Sequence, residues 1–163
     1  MSANTTSEST GLYPALGRLP SGISILTIGS GDTATGMLVS WVQQAAFEPP
    51  MITLTVKKGR PVSDRLDAGE PFVLNVVGEG DKQFLKHFGK GFEPGEPAFE
   101  GIELAETAIG VPALAGAIAH LECRAEGGVD AADHRVLVAH VTGGTLLSET
   151  KPMVHLRKRG DHY

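Results

Sequence analysis

The chain has 163 residues, 41% of them hydrophobic and 20% charged, with a net charge of −5 and a pI near 5.6. That length suits one domain with a core of its own, and the excess of acid excludes a dedicated nucleic-acid binder, which needs spare Lys and Arg for phosphate backbones. No apolar run approaches the roughly 20 residues that span a bilayer, the polar start MSANTTSEST has no hydrophobic signal core, and the single Cys123 cannot form an internal disulfide; the expectation is a cytoplasmic protein with no membrane and no nucleic-acid partner.

Residues 1–11, rich in Ser and Thr, are expected to form a disordered tail, with one domain over 12–163. Leu12, Leu16 and Leu19 repeat at helical spacing until Pro20-Ser21-Gly22 breaks the pattern. The β-branched run at 23–29 then reads as a strand, and strands are also expected at 36–42, 51–57 and 72–77. A two-turn helix is predicted from Pro61, since proline is favoured at the first helical position, Gly69 suits the C-terminal cap and Pro71 stops continuation. A second short helix is expected within 80–90, burying Phe84, Leu85 and Phe88. The stretch Gly91–Pro97 is a loop that either covers a site or connects elements. Alternation returns at 118–126 and 134–144 and again in MVHLRKR near the end. Strands dominate and the helices are short, so the fold class is mainly β with short helices, in a closed or nearly closed barrel rather than a doubly wound parallel sheet.

Gly29-Ser30-Gly31-Asp32-Thr33-Ala34 matches the GxGxxG/A dinucleotide fingerprint, but that motif requires a helix next. Residues 35–42 read as another strand, so the glycines are assigned to a hairpin turn. The metalloprotease, nucleophile-elbow, CxxC and phosphate-loop signatures are absent. His120 and Cys123, three apart in an alternating strand, point to opposite faces, and no metal site is expected.

Lys57, Lys58 and Arg60 surround Gly59 directly before the predicted helix, against an acidic background. Such a loop either holds a phosphate, with help from Ser63 and the first-turn N–H groups, or is a solvated basic turn.

The order Gly36-Met37-Leu38-Val39-Ser40-Trp41, Gln44-Ala45, Phe47-Glu48-Pro49-Pro50 and Phe72-Val73-Leu74-Asn75-Val76 resembles the flavin reductase-like family with an FMN-binding split β-barrel. The likeness is nearest to the reductase module at the C-terminus of cyanobacterial flavodiiron proteins. Ala15-Leu16-Gly17-Arg18, Lys86-His87-Phe88, Leu121-Glu122-Cys123 and Asp133-His134 extend it over most of the chain. The resemblance implies FMN as cofactor, its ring against Met37, Leu38, Val39 and Ser40 and a loop made by Gln43, Gln44, Ala45, Ala46 and Phe47. It places the phosphate at Lys57, Lys58, Arg60 and Ser63, the loop already singled out by charge. Asn75 and His134 match positions near the pocket, and His134 either takes part directly or is an ordinary strand-end residue. The implied activity is NAD(P)H:FMN oxidoreduction, with hydride passing from NADH or NADPH to flavin N5 and electrons going on to an acceptor such as a redox protein partner. A homodimer is implied as well. Gln43 and Ala46 stand where relatives often have serine, which predicts a weaker or differently poised flavin. An FMN-binding electron carrier fed by a protein donor, and a barrel without flavin, are the alternative readings.

Overall fold

The computed structural model describes residues 9–163. Of the expected N-terminal tail, residues 1–8 lie outside the described residues, and Ser9–Gly11 begin the first helix, α1 (Ser9–Leu16). The chain then passes through β1 (Ser21–Gly22), β2 (Ser24–Ile28), β3 (Thr35–Val39), β4 (Val42–Ala46), β5 (Met51–Lys57), α2 (Pro61–Asp67), β6 (Pro71–Val76) and α3 (Lys82–Phe88). It continues through the short pair β7 (Leu104–Ala105) and β8 (Ala113–Leu114), the long β9 (Ala119–Ala131) and β10 (His134–Leu146), and β11 (Val154–His155).

Seven strands form one sheet in the order β3-β2-β6-β9-β10-β5-β4, and every pairing is antiparallel. Its two edges, β3 and β4, are consecutive in the chain and joined only by Ser40 and Trp41, so the barrel is left open where the backbone crosses from one edge to the other. Side-chain alternation explains the burial of β2 on both faces. Leu26 and Ile28 point into the barrel with Leu54, Phe72, Leu74 and Leu137. Ile25 points outward, under Phe84 and Phe88 of α3. Val73 likewise leaves the inner face for a smaller cluster with Val111 and Ala113.

The hairpin expected at Gly29–Ala34 is present: β2 pairs antiparallel with β3, a single turn of tight helix spans Gly31–Thr33, and Gly29 takes the left-handed region with φ of +83°. A strand follows, not the helix a dinucleotide fold needs. One expected loop is a strand instead. Gln43 to Ala46 pair with β5 as β4, with a register shift between Gln44 and Ala46, because Val42 opposite Leu54 anchors the hairpin's apolar side. The following turn carries a cis Glu48-Pro49 bond.

Helix α2 starts with Pro61 at its first position, and its C-cap N–H groups are satisfied by Asp64 and Leu66. Helix α3 is capped by Asp81, whose Oδ1 accepts from Gln83 N at 3.1 Å. No helix among the described residues is long and apolar enough to cross a membrane.

Candidate functional site at the barrel seam

Where β3 turns into β4, Met37, Val39, Ser40 and Trp41 face Thr55 and Lys57 of β5 across a cavity of about 120 Å³, closed by Arg60, Phe88 and Tyr163. A second cavity of about 260 Å³ shares Met37 and Arg60 with it and runs along Gly59, Val62, Lys90 and Phe92. A third, of about 490 Å³, shares Ser40, Trp41 and Thr55 with the first and is also lined by Leu16, Leu19 and Arg157. The first alone is below the ~300–1,000 Å³ of ordinary ligand pockets; the contiguous set is not. The Gly91–Pro97 loop walls the second cavity through Gly91, Phe92, Glu93 and Glu96.

The structure gathers some of the residues expected at a site and disperses others. Met37, Leu38, Val39, Ser40, Lys57 and Arg60 line the 120 Å³ cavity, and Gln43 lines the 490 Å³ one. Gln44 and Ala45 lie on the exposed side of the edge strand, Ala46 follows on the same edge, and Phe47 is 88% exposed in the turn beyond. Lys58 turns away to an ion pair with Asp130 at 2.9 Å. Ser63 is buried, and its hydroxyl donates to the Lys57 carbonyl at 3.0 Å, so it braces the loop that carries the two remaining cations. Asn75 is fully buried within the core and reaches none of the three cavities.

His134 is held on both sides. Its Nδ1 lies 2.8 Å from Asp133 Oδ1 and its Nε2 2.5 Å from the Tyr163 hydroxyl. The Asp133 carboxyl is held below its usual range mainly by that bond to His134, so it is ionised and only accepts. In the neutral ring Nδ1 therefore carries the proton and Nε2 accepts from the Tyr163 hydroxyl. Partial burial pushes the Tyr163 phenol upward, which keeps its proton in place. The imidazole also stacks against Trp41 with centroids 4.9 Å apart, and Tyr163 packs on the same indole at 5.5 Å.

Trp41 and Tyr163 are residues to which sequence reasoning gave no role of their own. Trp41 was visible only as one member of a motif, and Tyr163 sits in a segment with no strand or helix signal. Their roles follow from register: Trp41 O accepts from Thr55 N at 2.9 Å, and His134 pairs with Lys57 on the other side of β5, which sets the two rings side by side.

His120 and Cys123 part as expected. His120 Nε2 meets the Leu114 carbonyl at 2.8 Å, and Cys123 is a core thiol pushed up to about 12, chiefly by burial. No group of three or more His, Cys, Asp or Glu able to hold a metal occurs among the described residues. A larger cavity, about 730 Å³, shares Val62 and Phe92 with the second one and lies between the Gly29–Thr35 hairpin and the 92–96 loop. Asp32, Glu70 and Glu96 line it, and its one cation, Arg65, is bound to Glu70 at 2.7 Å and to the Thr33 carbonyl at 2.9 Å.

Comparison with known proteins gives the family of this chain. A 40% identical relative over 163 residues is the putative diflavin flavoprotein A 3 of Synechocystis sp., and a protein of the same description from Nostoc sp. is 40% identical over 154 residues. They cover 99% and 93% of this chain, which spans only 27% of either relative's length. Among solved structures, the NADH:FAD oxidoreductase SgcE6 of Streptomyces globisporus superposes with a TM-score of 0.80 at 25% identity, covering 89% of this chain and 86% of its own. The styrene monooxygenase flavin reductase of Pseudomonas putida S12 gives 0.75 at 27% identity, with 90% and 92% covered. These neighbours share the split-barrel fold, and the family described as the flavin reductase like domain matches residues 16–162. With the match running from the last residue of α1 to the residue before Tyr163, the chain belongs to the flavin reductase like domain family, whose chemistry is flavin-dependent oxidoreduction.

Proposed function

We propose that this chain is an NAD(P)H-dependent reductase of FMN. The observation that carries the reading is the placement of Lys57 and Arg60, which pair with no carboxylate among the described residues, on the wall of the cavity formed by Met37–Trp41. Two unpaired cations suit a phosphate, and Met37, Val39, Trp41 and Phe88 offer apolar surface for a planar ring. The residues therefore fit FMN. Bound there, the flavin supplies the hydride-accepting chemistry. The protein's own part is to hold the phosphate through Lys57 and Arg60, with Ser63 and Lys58 shaping the loop behind them, and to seat the ring on the strand from Met37 to Ser40. His134, fixed in one tautomer between Asp133 and Tyr163, presents a polar wall beside Trp41.

The remaining assignments belong to the same proposal. NADH or NADPH is the donor, the acceptor is a small molecule or a redox protein, and the protein acts in the cytoplasm as a homodimer. Its likeness to about a quarter of each diflavin flavoprotein suits a partner that carries further redox centres.

The purified protein is expected to be yellow or to quench added FMN, and anaerobic NADH or NADPH should bleach it. Binding of FMN without bleaching by either nicotinamide would instead make it an electron carrier fed by a protein donor. Replacing Lys57 and Arg60 by Ala removes charge-assisted bonds worth about 1.5–3 kcal/mol each. FMN should therefore weaken by roughly tenfold or more per residue, with riboflavin, which has no phosphate, nearly unaffected. Equal losses for both ligands would remove the phosphate from that corner.

A further inference from the structure

Four of the fourteen Lys and Arg side chains have a carboxylate partner among the described residues: Lys58 pairs with Asp130, Arg65 with Glu70, Arg135 with Asp67 and Asp130, and Arg159 with Asp161. Arg157 lines the 490 Å³ cavity and has none among the described residues. Its guanidinium carbon lies 5.1 Å from the Trp41 ring centroid, its Nε is buried without any hydrogen-bond partner, and its Nη1 reaches only the His162 carbonyl, at a weak 3.5 Å. A buried charged donor left unsatisfied is costly and uncommon in native proteins. Ser40, Gln43, Thr53 and Thr55 add polar groups to the same wall, Leu16 and Leu19 add apolar ones, and no acidic side chain lines the cavity. The 730 Å³ cavity, larger but lined by Asp32, Glu70 and Glu96, offers an anion none of this. Trp41 thus borders two anion-receptive positions, one lined by Lys57 and Arg60 and the other by Arg157.

Resting on the flavin reading of the first cavity, we propose that Arg157 is a binding residue for the diphosphate of the dinucleotide electron donor, held in the 490 Å³ cavity that shares Trp41 with the flavin cavity. A guanidinium presents a rigid fork of donors that matches phosphate oxygens, and the cavity has the volume of an ordinary small-ligand pocket. Stacking on the indole fixes the Arg157 side chain on the wall of this cavity.

Trp41 is the only tryptophan in the chain, so its emission reports directly on Arg157. Titration of the full chain with ADP-ribose, which has the diphosphate but no nicotinamide, should give a saturable change in that emission, and inorganic pyrophosphate should compete. Arg157→Gln is expected to weaken ADP-ribose by about tenfold or more and to raise KM for NADH similarly, with FMN affinity within about twofold. Lys57→Ala should leave ADP-ribose binding in place. Unaltered ADP-ribose affinity in Arg157→Gln overturns the proposal, as does loss in Lys57→Ala instead. If FAD weakens in Arg157→Gln while ADP-ribose and NADH do not, the arginine serves the flavin and the assignment to the donor is wrong. Should Arg157→Gln not fold, failure of pyrophosphate to displace ADP-ribose from the unaltered protein overturns it equally. None of these titrations requires turnover, so a protein that binds ADP-ribose but never oxidises NADH would sink the reductase reading and not this one.

Discussion

Asn75 satisfies both ends of its amide inside the core. Nδ2 donates to the Ile25 carbonyl at 2.8 Å and to Thr27 Oγ1 at 3.2 Å, and Oδ1 accepts from Leu114 N at 2.7 Å. The Thr27 hydroxyl in turn donates to the Pro112 carbonyl at 2.6 Å. One side chain therefore ties β2 and β6 to the segment that carries β8, in fully buried surroundings. Family likeness alone put Asn75 near the pocket; its bonds give it a task in the fold. Asn75→Ala would strand the Leu114 N–H and one core carbonyl, and a buried polar group left unsatisfied costs about 1–3 kcal/mol. The expected outcome is an unfolding free energy lower by that amount, read as a reduced urea midpoint at unchanged slope, with FMN affinity of the folded fraction unchanged. A variant of native stability that loses FMN would instead place the amide in the binding site.

At the scale of elements, β3 and α3 meet at Gly36. A Cβ there would lie 2.8 Å from Phe88 Cε1, and Phe88 is wedged among Phe84, His87, Phe92 and Phe99 with little room to retreat. Since Phe88 also lines the 120 Å³ cavity, the contact couples packing to the site. Gly36→Ala is expected to cost about 1–3 kcal/mol through overpacking, lowering the thermal midpoint and weakening FMN together. Gly22→Ala, where nothing stands within 4 Å, serves as the control and should do neither. The elements themselves were legible because their signals are local: β-branched runs for β2 and β5, Pro61 and Gly69 around α2, and the Gly29–Ala34 turn. The segment 43–47 is a loop only in what the family resemblance implies, and its Gln-Gln-Ala-Ala composition has no strand propensity to say otherwise. Its pairing comes from β5, an interaction between chains of residues that no local pattern encodes. The site was legible where charge is concentrated, at Lys57 and Arg60. It was illegible where it depends on distance: nothing in the sequence brings Arg157 and Tyr163, more than a hundred positions downstream, onto the ring of Trp41.

For the whole molecule, the open seam raises the question of what covers its edges. Strand β4 ends the sheet with Gln43, Gln44 and Ala45 exposed, and a bare edge strand is a site for association unless it is blocked. Large apolar side chains are exposed as well: Phe47 at 88%, Leu146 at 71% and Val154 at 62%. Exposed apolar residues in such numbers are expensive for a monomer but ordinary for a subunit. A net charge of −5 is small enough not to oppose pairing of two copies. The proposed homodimer should therefore appear in sedimentation as a species of twice the 17.1 kDa chain mass, persisting on dilution. Phe47→Asp combined with Leu146→Asp should shift it toward monomer while leaving the circular dichroism of the barrel intact, because neither side chain belongs to the core clusters. A chain that sediments as a monomer at its highest soluble concentration would remove the dimer, and the seam would then have to complete its binding site from one subunit alone.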